Sequence, residues 1–295
     1  MARKTLLMIV NPRAGRNKPR SPLFDAAALL SEAGYLLSIH QTTAPGDAAG
    51  FAAREGNQYD VVVAVGGDGT LNEVACGLMR LENPPLLGYF AQGSTNDFAA
   101  SLQIPGDPVT AAGAVIRNMP RKLDIGSWND RHFIYVASFG AFTRSSYAAP
   151  QAAKNALGHL AYVLEGMKDL NTLRPYQIKL TADGEVLDGE YLFGAVCNST
   201  SIGGLMKLDP ERVVLDDGKF ELLLIPMPKT AAELHELLRA LLNQQYDTGG
   251  LIFRHVSHVS VEPEEDLPWS LDGEYAPSAS RVEIANRQAA LTILL

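Results

Sequence analysis

Residues 60–79, DVVVAVGGDGTLNEVACGLM, constrain this chain more than any other stretch. Residues 60–65 form a short, almost wholly apolar run rich in valine. β-branched side chains suit a pleated strand, and a run without polar alternation suits one covered on both faces. Gly66, Gly67, Asp68 and Gly69 follow as a tight turn. From Thr70 onward, Leu71, Val74, Ala75 and Leu78 recur at helical spacing. Strand, glycine turn and helix in that order aim backbone N–H groups and the positive helix end at an anion. The turn is neither the G-x-x-x-x-G-K-[ST] of a P-loop nor the G-x-G-x-x-G of a dinucleotide site. It sets a carboxylate among the glycines. Beside a phosphate that charge repels unless a cation intervenes, so Asp68 points to Mg²⁺ or to a sugar or substrate hydroxyl. An exposed Asp in an ordinary turn is the plain alternative.

The flanking sequence repeats the theme. Residues 4–10 predict a strand, 23–33 a helix entered through Ser21-Pro22 and stopped at Gly34, and 35–41 a second strand. A short alanine-rich helix over 47–56 precedes the central stretch. A fourth strand over 85–90 and a helix over 109–117 follow it. Alternating strands and helices predict a mainly parallel sheet. Ligands then bind beyond the carboxyl ends of the strands, where the loops at 11–15, 42, 66–70 and 93–97 converge.

Past residue 122 the texture changes. Strands are expected at 132–139, 176–181, 190–197, 220–225, 255–261, 281–284 and 290–294, and helices at 152–170 and 230–244. The second helix carries a Thr230–Glu233 capping box and an apolar face of Leu234, Leu237, Leu238, Leu241 and Leu242. This half predicts an antiparallel, β-sandwich-like domain with a few helices. A chain of 295 residues exceeds the usual single core, so two domains are expected, 1–125 and 126–295. Charge agrees. Residues 1–125 hold 11 basic and 11 acidic side chains and the remainder 14 and 22, so the net −8 falls wholly in the second part. That balance argues against nucleic acid. A local basic cluster, Arg13, Arg16, Lys18 and Arg20, suits phosphates or an anionic membrane surface, or is simply a solvated loop.

No apolar run approaches the ~18 residues of a spanning helix. The apolar run 6–10 is too short for a signal peptide and fits a first strand, so a cytoplasmic protein is expected. Cys76 and Cys197 lie in apolar segments and are expected as buried free thiols. The six histidines lack metal spacing, and no G-x-S-x-G supports a serine hydrolase.

Four motifs stand in order: Asn11-Pro12-Arg13-Ala14-Gly15, Gly66-Gly67-Asp68-Gly69-Thr70, Gly93-Ser94-Thr95-Asn96-Asp97-Phe98-Ala99 and Leu271-Asp272-Gly273-Glu274. Together they resemble the soluble bacterial diacylglycerol kinases and the wider lipid kinase family, which includes sphingosine kinases. GGDGT alone is shared with NAD kinases; the combination with a late DGE is far more specific. The resemblance covers nearly the whole chain. It implies an α/β nucleotide-binding domain, a β-rich lipid-substrate domain and an active site in the cleft between them.

The resemblance also implies roles. Asn11, Pro12, Arg13, Ala14, Gly15, Thr42, Gly66, Gly67, Asp68, Gly69, Thr70, Leu71, Asn72 and Thr95 match nucleotide-contacting positions. Glu274 matches the general base, since transfer to an alcohol needs a carboxylate within reach of the hydroxyl. Asp68, Asp97 and Asp124 match an acidic network holding catalytic Mg²⁺, partly through water. A structural Mg²⁺ is implied at the Asp217 carboxylate and the carbonyls of Val214 and Lys219, where a plain Asp-Asp-Gly turn is the alternative. Plain readings exist elsewhere too: Asn96-Asp97 as a helix cap, Asp124 as a linker anchor, Glu274 as an exposed residue after a hairpin turn.

The expected activity is ATP- and Mg²⁺-dependent phosphorylation of a membrane lipid, diacylglycerol first. The alternatives are another lipid of phosphatidylglycerol or sphingoid-base type, NAD, or a non-catalytic lipid- or nucleotide-binding regulator. Expected partners are ATP and the lipid, met by peripheral contact with the membrane through the basic cluster or the apolar stripe Leu160, Tyr162, Val163 and Leu164. A homodimer is compatible with all of this.

Overall fold

The computed structural model describes residues 3–15, 21–93, 96–140, 174–202, 206–209, 211–243, 245, 246, 248 and 250–295. The chain divides into two compact units, Met1–Asp124 with Ala289–Leu295, and Ile125–Gln288.

In the first unit strands and helices alternate: β1 (Thr5–Val10), α1 (Ser21–Glu32), β2 (Leu36–Gln41), α2 (Asp47–Glu55), β3 (Val61–Gly66), α3 (Asp68–Leu78), β4 (Leu86–Ala91), α4 (Asp97–Ser101) and α5 (Pro108–Arg117). The strands pair in parallel in the order β2-β1-β3-β4. β3 is buried along its whole length, as its unbroken apolar run requires. Leu6, Met8, Val61, Val63 and Val65 pack with Ala26 and Leu30 of α1 and Ala111 and Val115 of α5. Leu7, Ile9, Val62 and Ala64 alternate with these and are equally buried, so both sheet faces are covered. Helix α3 starts at Asp68, so the second half of the glycine turn is already the first turn of the helix.

In the second unit the strands are antiparallel. They are β5 (Pro120–Trp128), which enters it from the first unit, then β6 (Arg131–Phe133), β7 (Val136–Gly140), β8 (Tyr176–Ala182), β9 (Glu185–Cys197), β10 (Ser201–Ile202), β11 (Met206–Lys207), β12 (Phe220–Pro226), β13 (Ile252–Val256), β14 (His258–Pro263), β15 (Trp269–Leu271), β16 (Glu274–Ala276) and β17 (Val282–Leu294). Helix α6 (Ala231–Leu242) follows β12. β9 is the hub: its first half pairs with β8 and its second half with β7 and β12. Trp128, Phe133, Phe139, Phe220, Trp269 and the leucines of β12 fill the core.

Four features differ from the sequence expectation. Residues 132–139 break into β6 and β7, and 255–261 into β13 and β14. At the second break the Asp183 carboxylate takes the N–H groups of Ser257 and His258, so those groups leave the ladder. The strands expected at 281–284 and 290–294 are one strand, β17, with Ala289 at φ 51 within it. Its last residues, Ala289–Leu295, belong to the first unit rather than to 126–295 as expected; there Ile293 pairs with Leu87 in parallel. Both cysteines are free, Cys197 buried and Cys76 only partly so. Among the described residues no helix is long and apolar enough to cross a membrane. The helix expected at 152–170, with its apolar stripe, and Arg16, Lys18 and Arg20 lie outside the described residues.

Candidate active site

The loops that follow β1, β3 and β4 close on one another. Asn11 donates its N–H to Val65 O at 2.9 Å and its side-chain Nδ2 to Thr70 Oγ1 at 3.2 Å. Its Oδ1 accepts the Arg13 N–H at 2.9 Å, which curls the Asn11 loop toward Gly15 at φ 59. The loop after β3 meets the loop after β4 backbone on backbone: the Gln92 N–H reaches Gly66 O at 2.7 Å, and a Cβ on Gly93 would lie 2.5 Å from Gly67 Cα. Only paired glycines permit that approach. Gly67 stands at the N-cap of α3 without a side-chain cap, so the positive helix end is left to an anion. Thr42 sits at the same sheet edge, its N–H bonded to Val10 O at 2.9 Å.

Asp68 has a partner the sequence did not suggest. Its carboxylate accepts the N–H of Asp97 at 3.1 Å and of Phe98 at 3.4 Å, capping α4 from 29 residues away. Burial raises its carboxyl above the usual range, and those N–H bonds oppose the rise. Asn96 holds the N-cap position of α4, as the plain reading has it, but does not cap with its side chain. It sits at φ 55 and turns back on its own loop. Its Oδ1 accepts the Gly93 N–H at 2.9 Å and its Nδ2 donates to Gly93 O at 3.1 Å. The buried Tyr89 hydroxyl donates to the same Oδ1 at 3.4 Å. Burial and the negative Asp68 push that phenol well up, so it remains a donor.

The other expected residues divide. Asp97 is buried, and its N–H lies on the Asp68 carboxylate. Asp124 is fully buried in β5, where Oδ1 accepts the Ala289 N–H at 2.7 Å. It therefore anchors the returning tail, whatever else it does. Leu71 is fully buried, so any nucleotide contact there is through its backbone. Thr70 is buried and its hydroxyl is taken up by Asn11. Asn72 accepts from the Cys76 thiol at 3.6 Å, one turn along α3. Thr95 lies outside the described residues. Among the described residues no three His, Cys, Asp or Glu side chains converge to hold a metal directly. Asp68 and Asp97, whose charges both bear on the Tyr89 phenol, still fit a hydrated cation that keeps most of its waters.

In the second unit Asp272 and Gly273, at φ 49 and 87, make the two-residue hairpin turn that the sequence suggests. Glu274 opens β16 and is exposed. The Asp272 side chain, to which no role was given, is buried and bonded to the junction of β6 and β7. At the expected structural metal position, Val214, Asp217 and Lys219 are exposed and Gly218 turns at φ 81. Asp217 Oδ1 accepts the Lys219 N–H at 2.9 Å. The carboxylate and two carbonyls are all oxygen donors, which suits a hard cation. Nearby, Glu221 is buried and its Oε2 has no hydrogen-bond partner among the described residues. Burial, then the charge of Asp217, pushes its carboxyl up to about 8.

Residues 5–128 match the diacylglycerol kinase catalytic domain, and 136–294 match the YegS C-terminal NAD kinase beta sandwich-like domain. A diacylglycerol kinase of Bacillus subtilis (strain 168) is 38% identical over 275 residues, covering 92% of this chain and 90% of that one. One from Staphylococcus aureus (strain MRSA252) is 35% identical over 274 residues, covering 92% and 87%. The crystal structure of a diacylglycerol kinase from Bacillus anthracis str. Sterne superposes with a TM-score of 0.80 at 23% identity, covering 100% of this chain and 98% of that one, which shows the shared fold. The chain belongs to the bacterial diacylglycerol kinase family and is a lipid kinase.

Proposed function

We propose that the chain transfers the γ-phosphoryl group of ATP to the free hydroxyl of diacylglycerol, giving phosphatidic acid and ADP. The observation that carries this reading is the backbone contact between the Gly67 and Gly93 loops at the uncapped N-terminus of α3. It leaves a side-chain-free cradle of N–H groups, the surface a triphosphate needs. Asn11, Pro12, Arg13, Ala14, Gly15 and Thr42 extend that cradle along the sheet edge, Asn72 adds to it, and Thr95 is assigned nucleotide contact from its motif alone. Phosphoryl transfer is mostly positioning and charge stabilisation, so a rigid cradle supplies much of what is required.

Glu274 acts as the general base. Its carboxylate takes the proton of the lipid hydroxyl as that oxygen bonds to the γ-phosphorus, while the bond from phosphorus to the β–γ bridging oxygen breaks and its electron pair leaves with ADP. Asp68, Asp97 and Asp124 would hold Mg²⁺, partly through water, and Asp217 with the Val214 and Lys219 carbonyls would hold a second, structural ion. Bound Mg²⁺ neutralises charge on the phosphates. Lipid is reached by peripheral contact with an anionic surface, for which the basic side chains at 13–20 are suited.

The test is transfer of label from γ-labelled ATP to a panel of diacylglycerol, phosphatidylglycerol, sphingosine and NAD, with and without chelator. Diacylglycerol should be the preferred acceptor and chelation should abolish transfer. Preferred labelling of another acceptor would overturn the substrate assignment, and robust NADP formation would make the chain a NAD kinase.

A further inference from the structure

The exposed Glu274 side chain stands on a short edge hairpin, and such hairpins slip or fray readily. Here the hairpin is held from two sides. On one side the Asp272 carboxylate is 3% exposed and accepts three successive N–H groups, from Ile134 at 2.6 Å, Tyr135 at 3.0 Å and Val136 at 2.9 Å. The Asp272 N–H returns to Val136 O at 2.8 Å. On the other side, Arg131 Nη1 donates to Tyr275 O at 3.1 Å. Glu274 lies between these two fixed points. β15 beneath it pairs with β7 through Leu271 and Ala137, and Trp269 packs edge-on to Phe139 at 4.9 Å.

The three N–H groups lie in succession where β6 gives way to β7, Val136 being the first residue of β7. A buried carboxylate is costly unless its lone pairs are filled, and buried N–H groups are costly unless accepted. Asp272 satisfies both demands at once, and only in one register of the turn. Its left-handed φ is one that Asp, with Asn, adopts more readily than most side chains.

We propose that Asp272 is a positioning residue for phosphoryl transfer: its carboxylate, locked on the β6–β7 corner, sets the backbone from which Glu274 reaches the acceptor hydroxyl, with Arg131 bracing the far side. This rests on Glu274 being the base. An amide at position 272 keeps one acceptor oxygen but turns an N–H₂ donor toward N–H groups, so the lock fails with little change in volume.

The experiment compares wild type, Asp272→Asn, Arg131→Ala and Glu274→Gln in steady-state transfer per folded molecule, together with amide exchange at Ile134, Tyr135 and Val136. Asp272→Asn should lose kcat on the order of 100-fold, as for a reacting group displaced by about 1 Å. Its KM for ATP should stay unchanged, and the three amides should exchange faster. Arg131→Ala should lose kcat several-fold, about 3–10-fold, with the same unchanged KM. A merely structural role predicts fewer folded molecules with wild-type kcat, and that result would overturn the proposal. If Asp272→Asn does not fold, Arg131→Ala decides: an undiminished kcat overturns it. Wild-type turnover in Glu274→Gln would instead remove the base reading itself, whereas an inactive Glu274→Gln beside a fully active Asp272→Asn would remove only the positioning role.

Discussion

Asn96 illustrates how much of the site depends on single side chains acting at a distance. Its amide fills both backbone groups of Gly93 and takes the Tyr89 hydroxyl, so the loop between β4 and α4 is closed from inside. Asn96→Ala would leave buried polar groups unmet and put a Cβ residue without local bonds at φ 55. The expected cost is about 1–3 kcal/mol, measured by denaturant unfolding, with a raised KM for ATP. Asn96→Gly removes the same bonds without the backbone strain and should lose less stability but as much ATP affinity. At this scale the motif residues were legible and their partners were not. Asp68 was placed by its glycines, yet its role in capping α4 depends on residues 97 and 98, which no local pattern links to it. The Asp272 bonds are not legible in the sequence, because a turn aspartate needs no partner to explain it.

Elements governed by neighbouring residues were legible almost to the residue. The Thr230 cap is present, with the Glu233 N–H on Thr230 Oγ1 at 3.1 Å; the return bond goes to the Lys229 N–H at 2.7 Å, one residue earlier than the motif implies. Asp107 caps α5 through the Thr110 N–H at 2.8 Å. Strand ends were less legible wherever a distant carboxylate intervened, as Asp183 does at Ser257. β12 carries a further consequence. Glu221 pairs across the sheet with Cys197 and His255, and burial holds it neutral up to about 8. Its carboxyl is raised relative to the unfolded chain, so the folded state binds the proton more tightly. Stability is therefore full below the ordinary glutamate range and declines as pH rises toward 8, by at most about 1.4 kcal/mol per pH unit. Urea unfolding in metal-free buffer at pH 5, 6, 7 and 8 should show that decline, and Glu221→Gln should flatten it.

At the scale of the whole molecule, the parallel and antiparallel halves were visible in the change from β–α alternation to successive strands. The route of the tail was not, because a strand's own pattern does not say which sheet it joins. Leu291, Ile293 and Leu294 are buried in the final strand, and the Leu295 N–H bonds to Met119 O at 3.1 Å. Truncation after Gln288 should thus destabilise the first unit, by roughly 1.5–3 kcal/mol for each lost buried side chain. Faster amide exchange in β4 with little change in β9 would report it. The proposed reaction depends on Glu274 taking the proton of the acceptor hydroxyl while the glycine loops hold ATP. The most direct measurement is label transfer from ATP to diacylglycerol by wild type and Glu274→Ala, with ATP affinity determined on both. The account predicts transfer lowered by about 10²–10⁴-fold, the scale of general-base catalysis, with ATP affinity unchanged. Transfer by Glu274→Ala at the wild-type rate would contradict it.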